Sequence, residues 1–513
     1  VSLDTGLVVS WQAFSWEVMQ ITRKQFMGVG ASAVAVAGLS ACSPSESDLG
    51  VVAASASLKQ EIELVEAGRY SSGISRRFDL TAALSKAEID KVEIQSHLFN
   101  QSLVGPEIRA SFGDQVSVST QNDLSQETSV HFHGLALRND MDGVPMLTQD
   151  AIATGASLNQ SFKAPHPGTY WYHSHSLLQQ DEGLMGPLVI DDPKEPLSYD
   201  SEWVVLLDDW SVGLGRSVEE NLSWLKANST GGHGMGMMGG TSLSGQDFGL
   251  GASDLIYDRY LVNGKTKTSP EVMRVAPGDK VRIRIINGAS DTAFVVYLEG
   301  HELQVVAADG FPVVPKKTKS LIIGMGERYD VLVTASQAAN LVAVTVGKNG
   351  DYARAVMSPN GNAIEFLGVD IPGVPLEASS LNTQEEFELS TAVDATHDLN
   401  LQMSMQGYIW AINGGTDYFS QALTVKKDTA VKLRFVNNSM MFHPMHLHGH
   451  SFQVSASNGR RLTSGARKDT LIVKPMEIAE VIFVADNPGD WAIHCHNSYH
   501  MEAGMVTSVN YGI

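Results

Sequence analysis

The sequence predicts an all-β protein of three related domains, and three observations carry that expectation. Gln115 to Thr120, Lys280 to Ile286 and Val431 to Val436 alternate apolar and polar residues, the period of a half-buried strand. Gly113-Asp114, Pro277-Gly278-Asp279 and Pro488-Gly489-Asp490 supply turns between such runs. The stretch from Pro106 through Gly113-Asp114 to Asn122 matches the stretch from Pro270 through Gly278-Asp279 to Asn287, and residues 419–438 repeat it more weakly. Self-similarity of this kind marks repeated structural units. Each copy ends in a polar Asn, followed by a segment that can carry ligands. A chain of 513 residues exceeds one ordinary core, so two to four domains are expected.

The N-terminal part reads as a targeting segment rather than a fold. Residues 1–18 read as upstream of a start at Met19. Arg23-Lys24 then opens a basic region, and Phe26 to Leu39 is an apolar run of 14 residues. That is shorter than the about 20 apolar residues a membrane-spanning helix needs, and it fits a signal sequence. Leu39-Ser40-Ala41-Cys42 resembles a bacterial lipobox, in which Cys42 is lipidated. Residues 19–42 are therefore expected to be a signal peptide with a lipobox, giving an exported, periplasmic or cell-envelope protein held by a lipid anchor. Thr22 to Met27 resembles a twin-arginine signal, with Lys24 in place of the second arginine. Residues 43–75 are rich in Ser and Ala and read as a flexible tether.

The three domains are expected at 76–195, 196–380 and 381–513. The borders fit Asp191-Asp192-Pro193 and the Pro/Gly/Leu-rich residues 371–382. The net charge of -21 argues against a nucleic-acid partner. The two cysteines, Cys42 and Cys495, each have a separate task, so no disulfide is expected.

The chemistry lies in four histidine groups that hold ten of the 16 histidines. They are His131-x-His133, His173-x-His175, His443-x-x-His446-x-His448, and His494-Cys495-His496 with His500 and Met505. Imidazoles with one thiolate and a thioether are copper ligands by softness, and two His, one Cys and a weak axial Met describe a blue-copper site. If His494 to His496 is extended, both histidines face one way and Cys495 the other. One tripeptide then touches two metal sites.

These four motifs resemble those of the multicopper oxidase family, the laccase-like enzymes of three cupredoxin domains. The likeness runs from about residue 78 to the C-terminus. Trp171-Tyr172-His173-Ser174-His175 and His500-Met501-Glu502-Ala503-Gly504-Met505 look closest to bacterial periplasmic copper-resistance oxidases. The resemblance implies three consecutive Greek-key β-sandwich or barrel domains and four copper ions. His443, Cys495, His500 and Met505 would bind the blue type 1 copper. His131 and His446 would bind the type 2 copper. His133, His173, His175, His448, His494 and His496 would bind the type 3 pair. The first and third domains would share the cluster, and the second would act mainly as a spacer.

The resemblance also implies the reaction: four one-electron substrate oxidations coupled to reduction of dioxygen to water, with Cys495 joining the two sites. Protons are consumed, so an acid near the cluster is needed. Asp142 occupies the place where the family has one, although an aspartate before Gly143 also suits a plain turn. Glu502 is the candidate for a second acid. Residues 231–240 form a Gly-rich loop in which His233, Met235, Met237 and Met238 suit Cu(I), since thioethers select it. Met403, Met405, Met440, Met441 and Met445 are further candidates, or core fillers. The first expectation for the donor is Cu(I), in copper tolerance. The second is phenols or aromatic amines, as for a laccase. A remote third is a non-catalytic copper-binding cupredoxin protein.

Overall fold

A computed structural model describes residues 55–229, 248–384, 393–404 and 407–512. Cys42 and the loop with His233, Met235, Met237 and Met238 lie outside the described residues, as do the remaining residues of the expected signal segment.

The described strands form six sheets, in three consecutive pairs. The first pair has four strands in each sheet; the second and third pairs have seven and five strands each. The repeat seen in the sequence is a repeat of topology. Ser75–Ile89 runs parallel to Gln115–Asn122, Ser201–Trp210 runs parallel to Lys280–Asn287, and Ala395–Met403 runs parallel to Ala430–Asn437. The three alternating runs are thus one equivalent strand, extended by a residue or two. Its inward positions fill the cores; Val116, Val118, Ile283, Ile285, Leu433 and Phe435 are fully buried.

The terminal Asn of each copy has one task. Asn122 Nδ2 donates to the Gln126 and Ile152 carbonyls while its Oδ1 accepts the Leu124 N–H. Asn287 does the same with the Thr292 and Ile323 carbonyls and the Ala289 N–H. Asn437 repeats it with the Met441 and Val473 carbonyls and the Ser439 N–H. An Asn side chain can mimic a backbone turn two residues on. Each copy therefore pins the chain where it leaves one sheet for the other. The next strands are His131–His133, Phe294–Leu298 and His443–Leu447. Two of these carry the histidines.

The stretch 43–75 is not a tether throughout, because Ala56–Gly68 is an α-helix. Ser55 caps it by accepting the Leu58 N–H at 3.0 Å. Leu58 and Ile62, four apart on one face, are buried. Glu63 pairs with Arg138 at 3.2 Å, and Glu61 pairs with Lys427 of the third sheet pair. The Ser/Ala bias of the flanking residues hides this i, i+4 pair. No helix among the described residues is long and apolar enough to cross a membrane.

Candidate metal centre

Two antiparallel strand pairs assemble the site. His131–His133 lies beside Gly168–His173, with His131 opposite His173 and His133 opposite Trp171. His443–Leu447 lies beside Asp490–Cys495, with Met445 opposite Cys495 and His446 opposite His494. Register alone thus brings the four sequence motifs together in two pairs. Alternation then sends His494 and Cys495 to opposite faces. The His494 ring meets His175 and His448, and the Cys495 sulfur meets His443 and His500. His496 returns to the face of His494 and lies against His133 and His173.

The first centre is a group of eight imidazoles. Ligand atoms of seven of them form three sets, each within 4.8 Å: His131 with His446 and His448, His131 with His133 and His173, and His175 with His448 and His494. The outward nitrogens settle which way the inward ones behave. His131 Nδ1 donates to the Asp142 carbonyl at 2.8 Å, His173 Nδ1 to the Ser174 carbonyl at 2.9 Å, His446 Nδ1 to the Asp469 carbonyl at 3.0 Å, and His494 Nδ1 to the Cys495 carbonyl at 2.9 Å. A carbonyl only accepts, so these rings carry their proton on Nδ1. Their Nε2 lone pairs point inward. His131, His173 and His446 find no protein partner there. His448 Nε2 and His494 Nε2 face each other at 3.0 Å, and His175 Nε2 lies 3.4 Å from His494 Nε2. Converging buried lone pairs repel unless a cation lies among them, so the donor set fits metal ions.

Electrostatics agree. Burial first, and then the neighbouring rings, hold His173, His175, His448 and His496 well below the usual imidazole range. His494 is lowered to about 3 by burial and by His446. These five rings are therefore neutral near pH 7, the form that binds metal.

The second centre is a triangle. His443 Nδ1 and His500 Nδ1 are 3.1 Å apart, and Cys495 Sγ lies 3.6 Å from each. All three residues are fully buried, as is Met505. Burial pushes the Cys495 thiol up, so its thiolate needs a cation. His₂Cys with a nearby thioether is the blue-copper donor set. The outer ring nitrogens are held by Ser439 Oγ at 2.8 Å for His443 and by Asp254 Oδ2 at 2.8 Å for His500. The Trp410 ring covers His500, with centroids 4.2 Å apart. Asn497 caps the short helix Ser498–Glu502 by accepting the Tyr499 and His500 N–H groups, which sets His500 against Cys495.

Asp142 lies beside the first centre. Its Oδ2 accepts from His448 Nδ1 at 2.9 Å, and the residue is fully buried. Gly143 after it has φ +83°, and a Cβ there would sit 1.8 Å from the Val130 carbonyl oxygen. Asp142 thus sits in a turn and beside the cluster at once. Glu502 is a correction. Its carboxylate accepts from the Tyr418 hydroxyl at 2.8 Å and bonds no cluster histidine. Two residues along a helix is a rotation of about 200°, so Glu502 faces away from the side that His500 presents.

Sequence reasoning missed Asp254, Ser439, Trp410, Arg328, Asp469 and Thr470. Only the last two leave a trace in the sequence, as the polar run Arg467-Lys468-Asp469-Thr470 ahead of an apolar strand. The expectation of a spacer role for the second domain is also corrected. Gly326 packs so closely on the site that a Cβ there would lie 2.9 Å from the His496 ring and 3.0 Å from the His133 ring.

The centres and the three sheet pairs define a copper oxidoreductase, and comparison with known proteins agrees. Three family profiles, each described as multicopper oxidase, match residues 82–195, 229–368 and 391–512. The chain belongs to the multicopper oxidase family, whose cofactor is copper. Among its relatives is Multicopper oxidase MmcO of Mycobacterium tuberculosis, 39% identical, with 98% of this chain and 99% of that one covered. Copper resistance protein A of Escherichia coli is 27% identical over 84% of this chain and 92% of that one. The crystal structure of a laccase from Botrytis aclada superposes with a TM-score of 0.73 at 25% identity, covering 87% of this chain and 90% of that one. The fold is therefore that of three consecutive cupredoxin-like domains.

Proposed function

We propose that this multicopper oxidase takes electrons from Cu(I) and serves copper tolerance. The observation that carries this reading is a pair of exposed thioethers beside the second centre. Met440 and Met476 are 73% and 63% exposed, unusual for so apolar a side chain. Both flank Ser439: Met440 follows it, and the Met476 N–H donates to its carbonyl. The Ser439 hydroxyl in turn holds His443. Met441 and Met445 are buried and fill the core. Soft thioethers at the surface, on residues joined to the serine that holds a copper-site histidine, suit a cuprous donor. The His233-Met238 segment in the sequence and the likeness to a copper resistance protein support the same reading.

In this reading His443, Cys495, His500 and Met505 hold the type 1 copper, and His131 and His446 the type 2. His133, His173 and His496 hold one type 3 ion; His175, His448 and His494 hold the other. Copper held there supplies one-electron transfer and the reduction of dioxygen to water. The protein supplies the rest. Cys495 joins the two centres covalently through its neighbours His494 and His496. Asp142 orients His448 and places a carboxyl group beside the cluster for proton transfer. Trp410 and Asp254 keep water from the His500 edge and fix its ring. The domain borders near 196 and 380 belong to this reading, since they fall between the sheet pairs. So does export with lipid anchoring at Cys42, supported by the Leu39-to-Cys42 motif.

Oxygen uptake by the copper-loaded protein, with Cu(I) and with a methoxyphenol, tests it. Cu(I) should be the better donor, and deletion of 233–238 or replacement of Met440 and Met476 by Leu should slow that donor alone. A faster phenol reaction, untouched by these changes, would favour the second reading, a laccase-type oxidase.

A further inference from the structure

The imidazoles of His133 and His446 stack with centroids 3.8 Å apart and planes at 16°. Asp469 lies at their shared edge. Its Oδ1 is 3.2 Å from His133 Nε2, and its carbonyl accepts from His446 Nδ1. The Thr470 hydroxyl is 3.1 Å from a nitrogen of each ring. His133 therefore turns Nδ1 inward, where it has no protein partner, whereas its neighbours turn Nε2 inward. An anionic carboxylate at His133 Nε2 selects this tautomer, because the carboxylate can only accept.

Asp469 is not itself free to bind a metal. Arg328 takes both of its oxygens, at 2.7 and 2.6 Å, in the planar two-pronged fit that Arg makes with a carboxylate. Arg328 belongs to the second sheet pair, and it also donates to the Thr169 carbonyl of the first at 3.1 Å. One guanidinium thus ties all three domains together beneath the cluster. Asp309, again of the second pair, accepts the Asp469 and Thr470 N–H groups at 3.2 and 3.1 Å. The glycine after His133 makes room for the arrangement. A Cβ at Gly134 would lie 2.3 Å from Arg328 Nη2 and 2.7 Å from Asp469 Oδ2.

We infer that Arg328 and Asp469 are positioning residues for the copper cluster, through which the second domain sets the orientation and tautomer of His133 and the direction of His446. The inference rests on the reading of these two histidines as cluster ligands.

The test uses the full chain with Asp469→Asn, Arg328→Gln and Arg328→Lys. Each is loaded with copper and challenged with a chelator, while the blue absorption and the non-blue copper resonance are followed together. The blue centre lies in the third domain and serves as the internal control. The expected result is an intact blue band with cluster copper held about 10- to 100-fold more weakly and an altered non-blue resonance. Wild-type retention and resonance in all three variants would overturn the inference. Loss of both centres in proportion would also overturn it, leaving these contacts merely structural. His133→Ala separates the two readings: full cluster copper in that variant would refute the ligand assignment itself.

Discussion

Asp142 and His448 stand 306 residues apart in sequence, yet the carboxylate of one accepts from Nδ1 of the other at 2.9 Å, with both fully buried. This bond crosses from the first domain to the third and places an acid directly behind a cluster histidine. Asp142→Asn keeps an acceptor for the His448 N–H and loses the transferable proton. Reoxidation of the fully reduced enzyme by dioxygen should slow by about 100-fold or more, in the range general acids contribute. Copper content and anaerobic reduction by the donor should not change. Normal reoxidation would remove Asp142 from proton delivery.

The cluster histidines make a prediction about pH for the copper-free chain. Their folded-state pKa values lie below the unfolded value of 6.5, His494 at about 3 and His173, His175, His448 and His496 well below it. The unfolded chain therefore binds more protons below pH 6.5. Stability should be fully present above that pH and fall as pH drops toward 3. Each such ring contributes up to about 1.4 kcal/mol per pH unit. Urea unfolding of the copper-free protein at pH 7.5 and 5.5 checks this, and equal midpoints would contradict it.

The three equivalent asparagines allow a third prediction. Asn287→Ala and Asn437→Ala each strand buried backbone groups that the side chain satisfies, at about 1–3 kcal/mol. Both variants should lose stability to urea by that amount or more. Only Asn437→Ala should also weaken the blue absorption, because its turn leads through Ser439 to His443. Equal effects on the blue band would show that the turn does not set the ligand.

Much of this was legible in the sequence, and the reason is local. His131-x-His133, His173-x-His175 and His494-Cys495-His496 each owe their geometry to strand alternation, which spacing encodes directly. The repeated Asn was visible too, since it recurs at one place in each copy. Arg328 and Asp254 carried no such signal. Each lies more than 100 positions from the histidine it serves, and its partner becomes known only once the sheet pairs meet. The helix Ala56–Gly68 was missed for the opposite reason: its two buried apolar residues sit in a stretch whose average composition suggests no packing. Glu502 was misplaced because nearness in sequence to His500 is not nearness in a helix.

In the proposed assignment one copper sits at Cys495 and the remainder at the histidine cluster. Metal analysis of the copper-loaded protein and of Cys495→Ser tests it most directly. About four copper ions per chain are expected in the first and one fewer in the second, with the blue band gone and the cluster resonance kept. Fewer than about four ions in the intact protein, or loss of cluster copper along with the blue centre, would contradict it.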